Sequence, residues 1–159
     1  MESVSPTKTA KDMAAKLPRG IRNNNPLNIR KGARWRGLRD FATDKEFCEF
    51  QTMAFGFRAA FRTLITYYTK HDCKTLEKII NRWAPPNENN TLAYLTDVRL
   101  KAGIDMCSRQ LPDPRLKCNW PIWRRIIRAM ACVETGLSLF QLHKYEADLG
   151  KGMKMAFCS

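Results

Sequence analysis

From position 54 onward, apolar residues recur along this chain with a helical period. Phe57, Phe61, Leu64, Ile65 and Tyr68 fall at i, i+4, i+7, i+8 and i+11, one stripe of a helix over about 54–70. Leu76, Ile79, Ile80 and Trp83 repeat the spacing over about 74–84, where Pro85 and Pro86 stop it. Asn90 or Thr91 caps a third helix that reaches about Lys101 and ends at Gly103. Residues 104–118, with Pro112 and Pro114, read as loop. Asn119 then serves as an N-cap, Pro121 is tolerated in the first turn, and a helix runs to Thr135 and stops at Gly136. A last helical stretch covers about 138–149, and the closing GKGMKMAFCS reads as a tail.

Upstream the pattern changes. Residues 27–30, 34–38 and 46–50 are short and locally alternating, and Gly32, Gly37 and Asp40 interrupt them, which predicts a small antiparallel hairpin or tongue. Asn23, Asn24, Asn25 and Pro26 are dense turn chemistry, because Asn tolerates left-handed conformations and Pro fixes its own φ. Residues 1–18 are polar and rich in Lys and Thr. The expected organisation is an arm over 1–18, one domain over 19–149 and a tail over 150–159. The fold class is mainly α with a small β-hairpin or tongue, and 159 residues suit one domain.

Composition narrows the partners. Hydrophobic residues make up 44% and charged residues 27%, a globular balance. Apolar runs are broken every few residues by Arg or Lys, so no bilayer span is expected, and the first 16 residues lack the h-region of a Sec signal. The six cysteines form no CxxC pair and His71 and His143 lie far apart, so no metal site and no cofactor are expected, and the thiols read as reduced. A net charge of +13 points to a polyanion: nucleic acid, an anionic membrane surface or cell wall. The basic residues are spread along the chain, and no helix-turn-helix, zinc finger or RNP-type motif accompanies them, which makes nucleic acid the lesser alternative.

Glu134 is the strongest chemical candidate. Trp123, Ile127 and Met130 stand at i, i+4 and i+7 of their helix and Glu134 at i+11, about 20° from Trp123 at 100° per residue. It therefore lies in line with the core-facing stripe, one residue before the helix ends. Partial burial and the negative end of the helix dipole both favour the protonated acid. Such a group can protonate a leaving glycosidic oxygen. Glu88, in the loop after Pro85-Pro86, is either a second carboxylate or part of a capping cluster. Asn89 beside it, and Asn23, Asn24, Asn25 and Asn28, offer paired donors and acceptors to hydroxyl and N-acetyl groups, or serve as plain turns. Tyr94 sits one turn into the next helix and can orient or stack on a sugar. Tyr68 belongs to the apolar stripe and reads as core, while Trp35 and Trp83 could stack on saccharides, although an isolated Trp in a small domain is usually core. Arg124 and Arg128, at i and i+4, share a solvated face.

Val133-Glu134-Thr135-Gly136, closing a hydrophobic helix, resembles the catalytic helix end of lysozymes and lytic transglycosylases. The strings RNNNPLNIR and RWAPPNENNT, with the stretch between them, resemble a lysozyme-like phage and prophage family of virion-associated peptidoglycan hydrolases. Over 19–103 the order of motifs is also similar to autolysin-type N-acetylglucosaminidases. The resemblance implies a lysozyme-like domain whose tongue borders a cleft, so that Glu46 or Glu49 could assist. It also implies cleavage of the peptidoglycan glycan strand, with Glu134 as general acid/base and Glu88 as second candidate. Asn23, Asn24, Asn25, Asn28, Asn89 and Tyr94 are then the substrate-binding set. In autolysin-type enzymes an acidic catalytic helix precedes the Asn-rich turn, whereas residues 10–17 here carry Asp12 alone. Either the site is degenerate or Glu134 takes that role from the C-terminal side, and the second is preferred. The partners implied are peptidoglycan and other anionic wall polymers. The protein would be made in the cytoplasm and act in the periplasm or wall or as a virion component. The alternative is a non-catalytic virion or wall-binding protein.

Overall fold

The computed structural model describes residues 17–157, and the expected arm therefore lies almost wholly outside the described residues. The described chain is mainly helical. A single turn, α1 (Arg19–Arg22), leads through the Asn-rich turn and a long loop to α2 (Met53–Lys70). Then come α3 (Leu76–Trp83), α4 (Thr91–Ala102), α5 (Trp120–Thr135), α6 (Leu139–Leu142) and α7 (Glu146–Met155). Short 3-10 turns at Lys117–Asn119 and His143–Tyr145 lead into α5 and α7. No described helix is long and apolar enough to cross a membrane.

The helix ends follow local chemistry. Thr52, Thr75 and Asn90 each accept a backbone N–H from the first turn of α2, α3 and α4. Gly103 and Gly136 close α4 and α5 in the left-handed region, with φ of 69° and 74°. Helix α5 is the centre of the molecule. Trp123, Ile126, Ile127, Ala129, Met130 and Ala131 are fully buried, which requires neighbours on more than one side. Trp123 Nε1 still donates to Pro112 O at 2.9 Å, so its one polar atom is satisfied. Tyr68 is core as expected: its ring meets Trp123 edge-on at 5.9 Å and its hydroxyl donates to Leu111 O at 2.9 Å.

Three expectations need correction. The segment over 27–50 holds two isolated antiparallel bridges, Arg30 to Phe47 and Leu38 to Phe50, and no strand ladder forms between them. Gly37 explains part of this. It turns the chain with φ of 84° and lies so close to the Phe55 ring that a Cβ would come within 2.2 Å of it. The residues read as a tail, 150–157, belong largely to α7. Leu149, Met153 and Ala156 are buried at i, i+4 and i+7, a short apolar period that the surrounding Gly and Lys residues disguise. At Gly152 a Cβ would meet Ala54 O at 2.6 Å, so glycine is what lets α7 lie against α2. Arg58 and Arg62 then donate to the carbonyls of Met155 and Ala156, and Phe157 stacks on Trp120 at 5.4 Å. The face carrying Arg124 and Arg128 is partly covered too. Arg124 Nη2 lies 3.0 Å from Glu146 Oε2 and Arg128 Nε 2.5 Å from Glu146 Oε1, at the start of α7.

Candidate active site

Glu134 is the penultimate residue of α5, half-buried, directly below the row of Trp123, Ile127 and Met130. Two donors converge on one of its carboxyl oxygens. Trp83 Nε1 donates to Oε1 at 3.1 Å and the Tyr94 hydroxyl donates to the same atom at 3.3 Å. Trp83 is the last residue of α3 and Tyr94 lies in the first turn of α4. The loop between them sets their separation. Glu88 N and Asn89 N both donate to Pro85 O, at 3.0 and 3.1 Å, and Thr91 Oγ1 donates to Ala84 O at 2.6 Å. The loop is thus closed on itself, and the two donors are presented together.

Asn28 fixes the acid from the other side. The last carbonyls of a helix have no partner within it. Asn28 Nδ2 supplies one, donating to Glu134 O at 3.2 Å. Asn28 has φ of 51°, the left-handed conformation that Asn tolerates, as does Asn24.

A cleft of about 400 Å³ opens over this acid. Glu134, Glu88, Asn28 and Asn89 contribute polar groups to it, Trp35, Tyr67 and Trp83 contribute rings, and Arg30 contributes a cation. The Tyr67 and Trp83 rings are 6.4 Å apart and tilted by 58°. Aromatic walls with a few amides and one acid suit a sugar ring, which has apolar faces and a polar rim. A larger concavity of about 710 Å³ runs along α4 beside Leu92, Leu100 and Val133. It shares Asn89 with the cleft but does not reach Glu134, so the chemistry sits in the smaller one.

Burial pushes the Glu134 carboxyl above its ordinary range. The hydrogen bonds from Trp83 and Tyr94, the nearby Asn28 amide and the charge of Arg30 oppose this without cancelling it. Burial, reinforced by Glu134, drives the Tyr94 hydroxyl far above the usual tyrosine value. Tyr94 therefore remains a donor at any working pH.

The structure thus brings Glu134, Glu88, Asn28, Asn89 and Tyr94 together and leaves Asn23, Asn24 and Asn25 elsewhere. Those three amides are consumed in tying the turn to Ile29 and to residues 44–51. Asn25, fully buried, donates to Ile29 O and Cys48 O and accepts from Ile29 N. Asn24 donates to Phe50 O, and Asn23 to Asp44 Oδ2. Glu46 and Glu49 do not line the cleft either. Glu49 is 4% exposed and accepts from Thr43 N and Oγ1 and from Asp44 N. Burial disfavours its charge, and those bonds together with Arg39 overcome that and lower its pKa. Glu46 pairs with Arg19 at 3.5 Å. Of the cleft residues, Arg30 is the one the sequence does not single out, and Trp35 and Trp83, readable as stacking rings or as core, line the cleft with Tyr67.

No family model matches the chain. It is 42% identical over 144 residues to Protein P5 of Pseudoalteromonas phage PM2, covering 87% of this chain and 82% of that protein. The chain belongs to the P5 family. The kinship is to a phage protein. Among the described residues no three His, Cys, Asp or Glu side chains form a group able to hold a metal.

Proposed function

We propose that this P5 relative is a lysozyme-like protein that cleaves the glycan strand of bacterial peptidoglycan, with Glu134 as general acid and base. The observation that carries the reading is a half-buried carboxyl lining the cleft whose two hydrogen bonds from Trp83 and Tyr94 fall on one oxygen. That leaves Oε2 for the proton. Glu134 gives this proton to the glycosidic oxygen as the bond to the anomeric carbon breaks. The resulting carboxylate then takes a proton either from the sugar's own 6-hydroxyl, which closes an anhydro ring, or from water. The first course is that of a lytic transglycosylase and the second that of a muramidase or glucosaminidase. Segment 27–50 acts as the tongue bordering the cleft, and Asn28, Asn89 and the aromatic walls hold the sugar. Glu88, exposed at the cleft, is the second carboxylate available to activate water. Kinship with a phage protein fits delivery to the wall as a virion component.

Turbidity clearing of purified sacculi tests this. Wild type clears, and Glu134→Gln slows clearing by about 100-fold or more while keeping its fold, in the range of a lost general acid. Full clearing by Glu134→Gln moves the acid to Glu88. No clearing by wild type at any salt or pH overturns the enzymatic reading and leaves a non-catalytic virion or wall-binding protein.

A further inference from the structure

Arg30 stands in the same cleft as Glu134, with its side chain exposed. Its backbone is well held. It forms the antiparallel bridge to Phe47, flanked by Lys31 N to Glu46 O and Cys48 N to Ile29 O, both at 2.9 Å. Its guanidinium lies 5.3 Å from the centre of the Phe47 ring. Of the arginines nearby, Arg19 pairs with Asp44 and Glu46 and Arg39 with Glu49, and Arg30 is the one that lines the cleft. Among the described residues Arg30 has no ion-pair partner, although two carboxyls line the same cleft.

That separation has a chemical consequence. A direct pair with Arg30 would hold Glu134 ionised and end its use as an acid. At its actual position Arg30 opposes the rise in the Glu134 pKa only in part, and its five donors stay free for something that enters the cleft. A guanidinium on a fixed backbone fits a planar carboxylate in two parallel bonds.

We infer that Arg30 is a specificity residue that binds a carboxylate carried by the glycan, so the cleft selects acidic amino-sugar strands over neutral ones. Two sources share this chemistry: the lactyl carboxyl of a muramoyl unit bearing no peptide, and a carboxylate of the attached peptide. The inference rests on the proposed substrate, and its test is a binding measurement that does not need turnover.

The test is calorimetric titration of Glu134→Gln protein with three glycans of equal length. One is peptide-free with free lactyl carboxylates, one has those groups methyl-esterified, and one bears peptides. The expected result is about tenfold tighter binding of one acidic glycan than of the ester, and which glycan it is names the source of the carboxylate. Adding Arg30→Gln brings the ratio to about 1, and Arg30→Lys retains part of it, since a point charge replaces the fork. A ratio near 1 with Arg30 present, an unchanged ratio without it, or no binding of any glycan overturns the inference. Because each ratio is taken within one variant, any effect of Arg30 on the fold or on residue 134 cancels. Failed clearing of sacculi with an intact Arg30-dependent ratio refutes cleavage alone.

Discussion

One oxygen of Glu134 takes both side-chain donors, Trp83 and Tyr94, so orientation and protonation are set by the same contacts. Trp83→Phe removes the stronger of the two, a bond that favours the ionised form. The Glu134 pKa then rises further, and the alkaline limb of the pH–rate profile moves upward while kcat falls about 10-fold for the lost orientation. A limb that stays in place or moves down contradicts the assignment. Stability obeys the same sign. An acid whose folded pKa lies above the unfolded value binds more protons when folded, so wild type loses stability as pH rises between the two. The lower bound of that window is the ordinary glutamate value of 4.5. Glu134→Gln keeps an acceptor for Trp83 and Tyr94 and carries no charge. Its melting temperature, relative to wild type, therefore climbs as pH is raised from about 4 and levels off above the folded pKa. A difference that is flat with pH would show that Glu134 is not burdened by burial.

At the scale of elements, α7 is the part most easily underestimated. Its contact with α2 depends on a missing side chain. At Gly152 a Cβ would meet Ala54 O at 2.6 Å and Arg58 N at 2.8 Å, both backbone atoms that cannot swing away. Gly152→Val should therefore destabilise the protein by about 1–3 kcal/mol, as overpacking does, read by denaturant unfolding. Gly150, two residues earlier, is the control. There a Cβ would meet only the end of the Arg124 side chain, at 3.2 Å. Gly150→Ala is expected to be neutral or to stabilise the helix by about 0.5–1 kcal/mol. Equal losses at both positions would mean that α7 does not pack as described.

Across the whole molecule, the cysteines report on burial. The five described thiols are free, and Cys48, Cys73 and Cys132 are buried, Cys107 is half-buried and Cys118 is exposed. Burial pushes the Cys48, Cys73, Cys107 and Cys132 thiols up, which slows their reaction twice over, by access and by thiolate fraction. In native protein a thiol reagent should modify Cys118 first, and Cys48, Cys73 and Cys132 only after denaturation, as mapped by peptide mass analysis. Fast labelling of all of them would contradict the core. The net charge of +13 is likewise distributed by the fold. Arg19, Arg39, Arg124 and Arg128 are drawn into structural pairs, while Arg30 is left facing the cleft.

Taken alone, the sequence determined the long helices and their ends, because period, caps, Pro and Gly act within a few residues of themselves. The stripe of Trp123, Ile127 and Met130 places Glu134 on the inner face through helical period alone, and the structure keeps it there. What the carboxyl meets on that face was decided by tertiary structure. Trp83, Tyr94 and Asn28 lie 51, 40 and 106 residues away along the chain, and no local pattern encodes their meeting. The four asparagines of the turn make the same point. Alike in type, they divide by position: three spend their amides on the backbone of 29–51 and on Asp44, and Asn28 reaches the end of α5. Residue type states what an amide or a guanidinium can bind, but only the packed chain decides which of its possible partners is close enough to be bound.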